Sequence, residues 1–217
     1  MIEPVILSER PLIRAYLGDC MDFMADKKAD EYDLAITDPP YNVGRKYNTH
    51  DDNMTDYIEW CDLWFSELSR VSKTTVMTVG YKNLKQWFNL DPRHMIIWNK
   101  PNQNSPSPLG GFNAYEAVLY WGKLHKRIGH DVFTKNISMQ DDAKFHNCPK
   151  HLPSWNKLID MVISPPAKLI DPFGGSFTSA LSAYYFGFDL DIVELDEDYF
   201  NEAVKRFKLN TAQESLF

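Results

Sequence analysis

Twice along this chain a short apolar run stops on an Asp-Pro step. Residues 32–37 (Tyr-Asp-Leu-Ala-Ile-Thr) read as a buried strand cut off by Asp38-Pro39-Pro40-Tyr41. Residues 168–170 read as a second, stopped by Asp171-Pro172 and followed by Phe173-Gly174-Gly175-Ser176. Proline fixes φ and has no N–H, so neither loop can extend a strand ladder. Further strands are predicted at 74–79, 94–98, 114–121 and 190–193, and a loop rich in Asn, Ser, Pro and Gly at 102–112. Helices are predicted at 55–71, where Tyr57, Ile58, Cys61, Leu63, Trp64, Leu68 and Val71 keep helical spacing, and at 153–163, 178–186 and 196–207. Strands alternating with helices specify an α/β fold with a mostly parallel sheet and helices on both faces. In such sheets ligands sit outside the carboxyl ends of the strands, which is where both Asp-Pro loops fall.

The 217 residues are enough for a sizeable core, and their composition is ordinary globular. Cys20, Cys61 and Cys148 form no CxxC pair, so no metal knuckle or disulfide framework is expected, and no metal. No apolar run is long enough for a membrane span, and residues 1–18 lack the pattern of a signal peptide, so a soluble cytoplasmic protein with no membrane partner is expected. The net charge of −7 argues against sequence-blind nucleic-acid binding. Residues 93–150 are the one basic third, with eight Lys/Arg against four Asp/Glu, and mark where a polyanion would meet the chain.

A carboxylate, a proline-directed carbonyl and an aromatic ring can together hold a planar –NH₂ group and stack on the ring that bears it. Asp38, Pro39, Pro40 and Tyr41 therefore suit the exocyclic amine of a nucleobase. The second loop suits a small, partly charged cofactor. Gly174 and Gly175 permit close backbone approach, and a helix starts near Thr178. Glu194, about 20 residues on at the end of a strand, is placed to accept from ribose hydroxyls.

Asp38-Pro39-Pro40-Tyr41 and Asp171-Pro172-Phe173-Gly174-Gly175-Ser176-Phe177-Thr178 resemble the catalytic and cofactor loops of the amino-group DNA methyltransferases. The catalytic loop comes first, as in the circularly permuted β group. Tyr16-Leu17-Gly18-Asp19-Cys20, Ile97-Trp98-Asn99-Lys100-Pro101, residues 113–119, Asp131-Val132-Phe133, His146 with Lys150, and Glu194-Leu195-Asp196 are similar to further elements of that family. The resemblance implies a Rossmann-like, seven-stranded, mostly parallel sheet with a small irregular target-recognition lobe. It divides the chain into a catalytic half (1–101), the lobe (102–150), a cofactor half (151–212) and a tail (213–217). It implies catalysis by Asp38, Pro39, Pro40 and Tyr41. S-adenosylmethionine is then held by Asp19, Lys150, Asp171, Phe173, Gly174, Gly175, Ser176, Thr178, Glu194 and Leu195. The implied activity is methylation of an extruded base in double-stranded DNA, adenine N6 favoured by the leading Asp. Cytosine N4, an RNA or protein amine, and a catalytically decayed DNA-binding protein are the alternatives. Phe177 stands where the family has glycine, so its ring either crowds the cofactor backbone or turns outward, and His151 replaces a proline. The ending Gln213-Glu214-Ser215-Leu216-Phe217 resembles the peptide with which bacterial replication proteins dock on a sliding clamp. A homodimer would compensate for the short lobe.

Overall fold

The computed structural model describes residues 3–44, 49, 52–136 and 150–212. The tail at 213–217, His146 and Cys148 lie outside them. Nine strands form one sheet in the order β1-β2-β9-β8-β3-β4-β6-β5-β7. They are β1 (Val5–Glu9), β2 (Leu12–Leu17), β3 (Leu34–Thr37), β4 (Thr74–Val79), β5 (His94–Asn99), β6 (Tyr115–Gly122), β7 (Val132–Thr134), β8 (Lys168–Asp171) and β9 (Asp189–Glu194). The run β2-β9-β8-β3-β4 is parallel throughout. β6 is antiparallel to both β4 and β5, β1 to β2, and β7 runs parallel to β5.

The inner seven strands correspond to the expected sheet; β1 and β7 are added at its two edges. Both escape pattern reading for physical reasons. β1 is half-exposed and short of core alternation, and β7 has three residues, too few for a period to register. The stretch 102–150 does not stand apart from the sheet, because its β6 is buried between β4 and β5.

Every residue of β3 and β4 is buried. Strands covered on both faces read as continuous apolar or β-branched runs, which is why these two were evident from sequence. Alternate residues feed two cores. Leu34, Ile36, Leu190 and Ile192 pack with Trp155, Leu158 and Ile159 of α4 (Leu152–Val162), Leu181 of α5 (Thr178–Phe186) and Phe200 and Phe207 of α6 (Glu197–Ala212). Ala35, Met77 and Val193 pack on the other face with Phe23 and Met24 of α1 (Cys20–Ala25), Trp64 and Leu68 of α2 (Tyr57–Val71) and Trp87 of α3 (Leu84–Phe88). Among the described residues no helix is long and apolar enough to cross a membrane.

Candidate active site

The parallel strands β2, β9, β8, β3 and β4 place Gly18-Asp19, Glu194, Asp171, Asp38 and Gly80 at one edge of the sheet. Three cavities open there. A cleft of about 390 Å³ is bordered by Asp38, Pro39, Tyr41, Gly80, Trp98, Lys100, Gln103, Asn113, Glu116 and Lys150. A cavity of about 150 Å³ is bordered by Asp19, Met21, Asp38, Pro40, Trp60, Phe173, Gly175, Glu194, Leu195 and Asp196. A small space of about 50 Å³ lies among Asp38, Lys150, Asp171, Gly174, Ser176 and Thr178. Asp38 borders all three and, among the described residues, is the one that the two larger ones share. The two Asp-Pro loops, 133 residues apart at their aspartates, thus meet at a common carboxylate.

The first loop is tied from several sides. Tyr57 Oη donates to the carbonyl of Pro40 at 2.7 Å, and Asn83 Nδ2 to that of Tyr41 at 2.7 Å. The Asp52 carboxylate accepts from the backbone N–H groups of Asn42 and Val43 at 2.8 and 3.0 Å. The Tyr41 ring lies against Gly80, where a Cβ would stand 3.1 Å from a ring carbon. Asp38 Oδ1 accepts from Tyr41 Oη at 2.6 Å and from the Thr78 hydroxyl, and it pairs with Lys150 Nζ at 2.9 Å. Among the described residues nothing donates to Asp38 Oδ2 or to the carbonyl of Pro39.

Behind Asp38 lies a charge cluster. Glu116, at the start of β6, takes Lys100 on Oε2 and Lys150 on Oε1, and Tyr41 Oη is 3.2 Å from Oε1. Burial opposes the charge on Glu116, but Lys150 and Lys100 hold its pKa down to about 2. Burial also opposes the charge on Lys150, yet Asp38 and Glu116 raise its pKa above the usual lysine value. Burial lowers the pKa of Lys100, against the pull of Glu116. The Tyr41 phenol is pushed well up, by burial and then by Asp38 and Glu116. Two cations thus face two anions, as buried charge requires.

The second loop is organised from beneath. Glu194 accepts from the N–H of Gly175 at 2.6 Å and of Asp196 at 2.9 Å, which leaves part of each oxygen toward the cavity. Asp19 caps α1, accepting from Met21 N at 2.7 Å. Phe173 stands edge-on to Trp64 and Trp60, with centroids 4.9 and 5.9 Å apart. Phe177 neither lines a cavity nor turns outward. It is fully buried, edge-on to Phe200, and lies at φ +58° as the N-cap of α5. Its ring points into the core, where a Cβ on Gly174 would meet it at 2.8 Å and Ile192 at 2.9 Å.

A family model for DNA methylases, N6_N4_Mtase, matches residues 32–205. The chain belongs to the N6/N4 DNA methylase family. It is 26% identical over 247 residues to the type II methyltransferase M.HinfI of Haemophilus influenzae, covering 88% of this chain and 67% of that one. It is 27% identical to the putative methylase YubD of Escherichia coli over 87% of each. It is 41% identical to M.MjaVI of Methanocaldococcus jannaschii over 52% of this chain and 75% of that one. In fold it is similar to the cytosine-N4-specific PvuII DNA methyltransferase (TM-score 0.75, 17% identity, 95% of this chain and 90% of that one). It is also similar to the complex of M1.HpyAVI with SAM (TM-score 0.66, 22% identity, 89% and 98%).

Of the residues read from sequence in this methylase, Asp19, Phe173, Gly175, Glu194 and Leu195 border the 150 Å³ cavity. Lys150, Asp171, Gly174, Ser176 and Thr178 border the small space next to Asp38. The ammonium of Lys150 reaches Asp38 and Glu116, and its carbonyl accepts from Thr178. Five contributors were given no site role from sequence, although Lys100 and Glu116 lie in the family-like stretches 97–101 and 113–119. Thr78, Lys100 and Glu116 surround Asp38 and Lys150. Trp60 supports Phe173. Arg206 of α6, 2% exposed, donates to Ser176 O at 2.6 Å and to Thr178 Oγ1 at 3.2 Å. Arg206 had a readable signal: a cation in the apolar stripe of Phe200, Ala203 and Phe207.

The methylase's Asp171 holds the two loops together. Its Oδ1 accepts from Thr37 Oγ1 at 2.7 Å and Phe173 N at 3.1 Å, and its Oδ2 from the Ser179 hydroxyl. Burial raises its pKa from 3.8 to about 7, against the pull of those donors. A raised carboxylate contributes stability that is fully present below its unfolded pKa and lost as pH rises through its folded one. The window here runs from about 4 to about 7. Asp171→Asn keeps the size and the oxygen that accepts from Thr37 and Phe173, turns the other position into a donor to Ser179 Oγ, and removes the titration, so its melting temperature should fall less than the parent's between pH 5 and 8. Parallel pH slopes by calorimetry would remove this reading.

Proposed function

We propose that this methylase transfers a methyl group from S-adenosylmethionine to the exocyclic amine of a base extruded from double-stranded DNA, and that the base is adenine, modified at N6. The observation that carries the proposal is the pair of open acceptors on the first loop, Asp38 Oδ2 and the carbonyl of Pro39. Asp38 Oδ1 and the carbonyls of Pro40 and Tyr41 beside them are occupied from within the protein. A planar amine carries two N–H donors and fits two adjacent acceptors, and Tyr41 borders the same cleft, where it can stack on the base. Extrusion costs a few kcal/mol, and stacking on an aromatic ring returns roughly 1–3 kcal/mol.

The ring-bound amine is a poor nucleophile because its lone pair is delocalised. Accepting both N–H bonds draws the nitrogen toward tetrahedral geometry and frees the lone pair. Because the loop is tied by Tyr57, Asn83 and Asp52, the acceptors are already in place. The donor fits the 150 Å³ cavity in its chemistry. Phe173, Leu195, Met21 and Trp60 offer apolar surface to a purine, Glu194 offers acceptor capacity to a ribose, and the carboxylates of Asp19, Asp38 and Asp196 favour a cation. When bound, S-adenosylmethionine supplies an electrophilic methyl on a sulfonium. The leading Asp of the loop supports adenine over cytosine. Mapping modified bases in the DNA of cells expressing the chain tests this. N6-methyladenine at a defined sequence is expected; N4-methylcytosine would transfer the mechanism to the other base, and unmodified DNA would overturn it.

A further inference from the structure

The Lys100–Glu116–Lys150 cluster goes unused in that account, and it is costly. Lys100 and Glu116 are each 9% exposed, on facing ends of β5 and β6. Buried ion pairs seldom raise stability over apolar residues of the same volume; their best-attested use is to impose one arrangement. The arrangement imposed here ends on one oxygen. Three donors converge on Asp38 Oδ1: Thr78 from β4, Tyr41 from the loop, and Lys150. One of the three, Lys150, is also held by Glu116 Oε1, having protons for both carboxylates, whereas the single phenol proton of Tyr41 goes to Asp38. Glu116 is fixed from its other side by Lys100, whose ammonium sits 4.0 Å from the centroid of Trp98.

A carboxylate on its own turns readily about its terminal torsion, which is broad and roughly two-fold. With both oxygens equivalent, the open lone pairs would wander between the cleft and the strand behind it. With Oδ1 loaded by three donors, Oδ2 alone is presented. Resting on the amine-methylating reading above, we infer that Glu116, braced by Lys100, is a positioning residue: it holds Lys150 on Asp38 Oδ1 and thereby fixes Oδ2 as the acceptor of the substrate amine. Glu116 touches neither the base nor the donor. It acts on the rate of transfer through the orientation of Asp38.

The test uses the full chain, tritiated S-adenosylmethionine and unmethylated phage DNA. Glu116→Gln should slow single-turnover methyl transfer roughly 100-fold, the scale of a misplaced catalytic group. Affinity for S-adenosylmethionine, read by calorimetry, should stay at the parent value. Because Glu116→Gln leaves two buried cations short of a partner, a second variant adds Lys100→Met. That pair restores the charge balance and the melting temperature, and the rate should stay low, since Lys150 still lacks its anchor. A parental rate in Glu116→Gln overturns the proposal. So does a rate that returns with the melting temperature in the double variant, because the cluster would then serve folding alone. A parent chain that methylates no DNA brings down the underlying reading instead, and this proposal with it.

Discussion

Replacing Asp38 by alanine is expected to leave S-adenosylmethionine bound and methyl transfer lost. The two effects separate because Asp38 is one of many residues around the 150 Å³ cavity but supplies, with Oδ2, an open acceptor of the loop. Removing a preorganised group aimed at developing charge costs roughly 10²–10³-fold in rate. Here the loss should be at the upper end of that range, because Lys150 and Tyr41 lose their common partner in the same step. Calorimetry reads the donor affinity, and rapid-quench single turnover reads the transfer. Normal turnover by Asp38→Ala would refute the amine-acceptor mechanism. A joint loss of binding and transfer would show that Asp38 seats the donor instead.

The second large effect concerns Phe177. Its ring is buried against Phe200 while its backbone sits at φ +58°, a region that costs an L-residue roughly 1–2 kcal/mol. Glycine relieves that strain but empties a core site whose loss costs about 3–5 kcal/mol. It also adds freedom to the unfolded chain. The net expectation for Phe177→Gly is a destabilisation of about 2–3 kcal/mol, or a melting temperature lower by roughly 4–12 °C for a chain of this size. Donor affinity should hold, since the ring borders neither large cavity. Gly174→Ala supplies the control. Its Cβ strikes the Phe177 ring and Ile192, so alone it should destabilise by about 1–3 kcal/mol, and less in the Phe177→Gly background. A tighter donor affinity in Phe177→Gly with an unchanged melting temperature would mean that the ring obstructs the site after all.

What could be read ahead of the coordinates followed from how each residue signals. β3 and β4 announce themselves because burial on both faces leaves only apolar and β-branched residues, and β9 through its Leu190 and Ile192-Val193 despite buried Asp191. β1 and β2 do not, since Glu9, Arg10 and Arg14 interrupt them, and Arg14 is there to pair with buried Asp191 from β9. The two loops stood out because Asp-Pro steps at strand ends have local cause and local consequence. Their partners did not. Thr78 reads as one more β-branched strand residue. Glu116 and Lys100 sit at the ends of strands that meet only when β6 runs back along β5. A site assembled by pairing across the sheet has no spacing along the chain to betray it. Phe177 was visible as an oddity, but its direction depends on the room left by Gly174 and Phe200.

Among the described residues the two larger cavities have Asp38 alone in common. Apart from the 38–43 loop, whose Pro39 and Tyr41 border one and Pro40 the other, the described walls come from different segments, Lys82, Gln103, Asn113 and Tyr115 on one side and Met21, Trp60, Leu195 and Tyr199 on the other. On the proposed assignment of the base to one chamber and the donor to the other, selection can recut the first to accept a new target while most of the second keeps its shape. Such a partition gives one scaffold room to diversify in what it marks without relearning how it is charged.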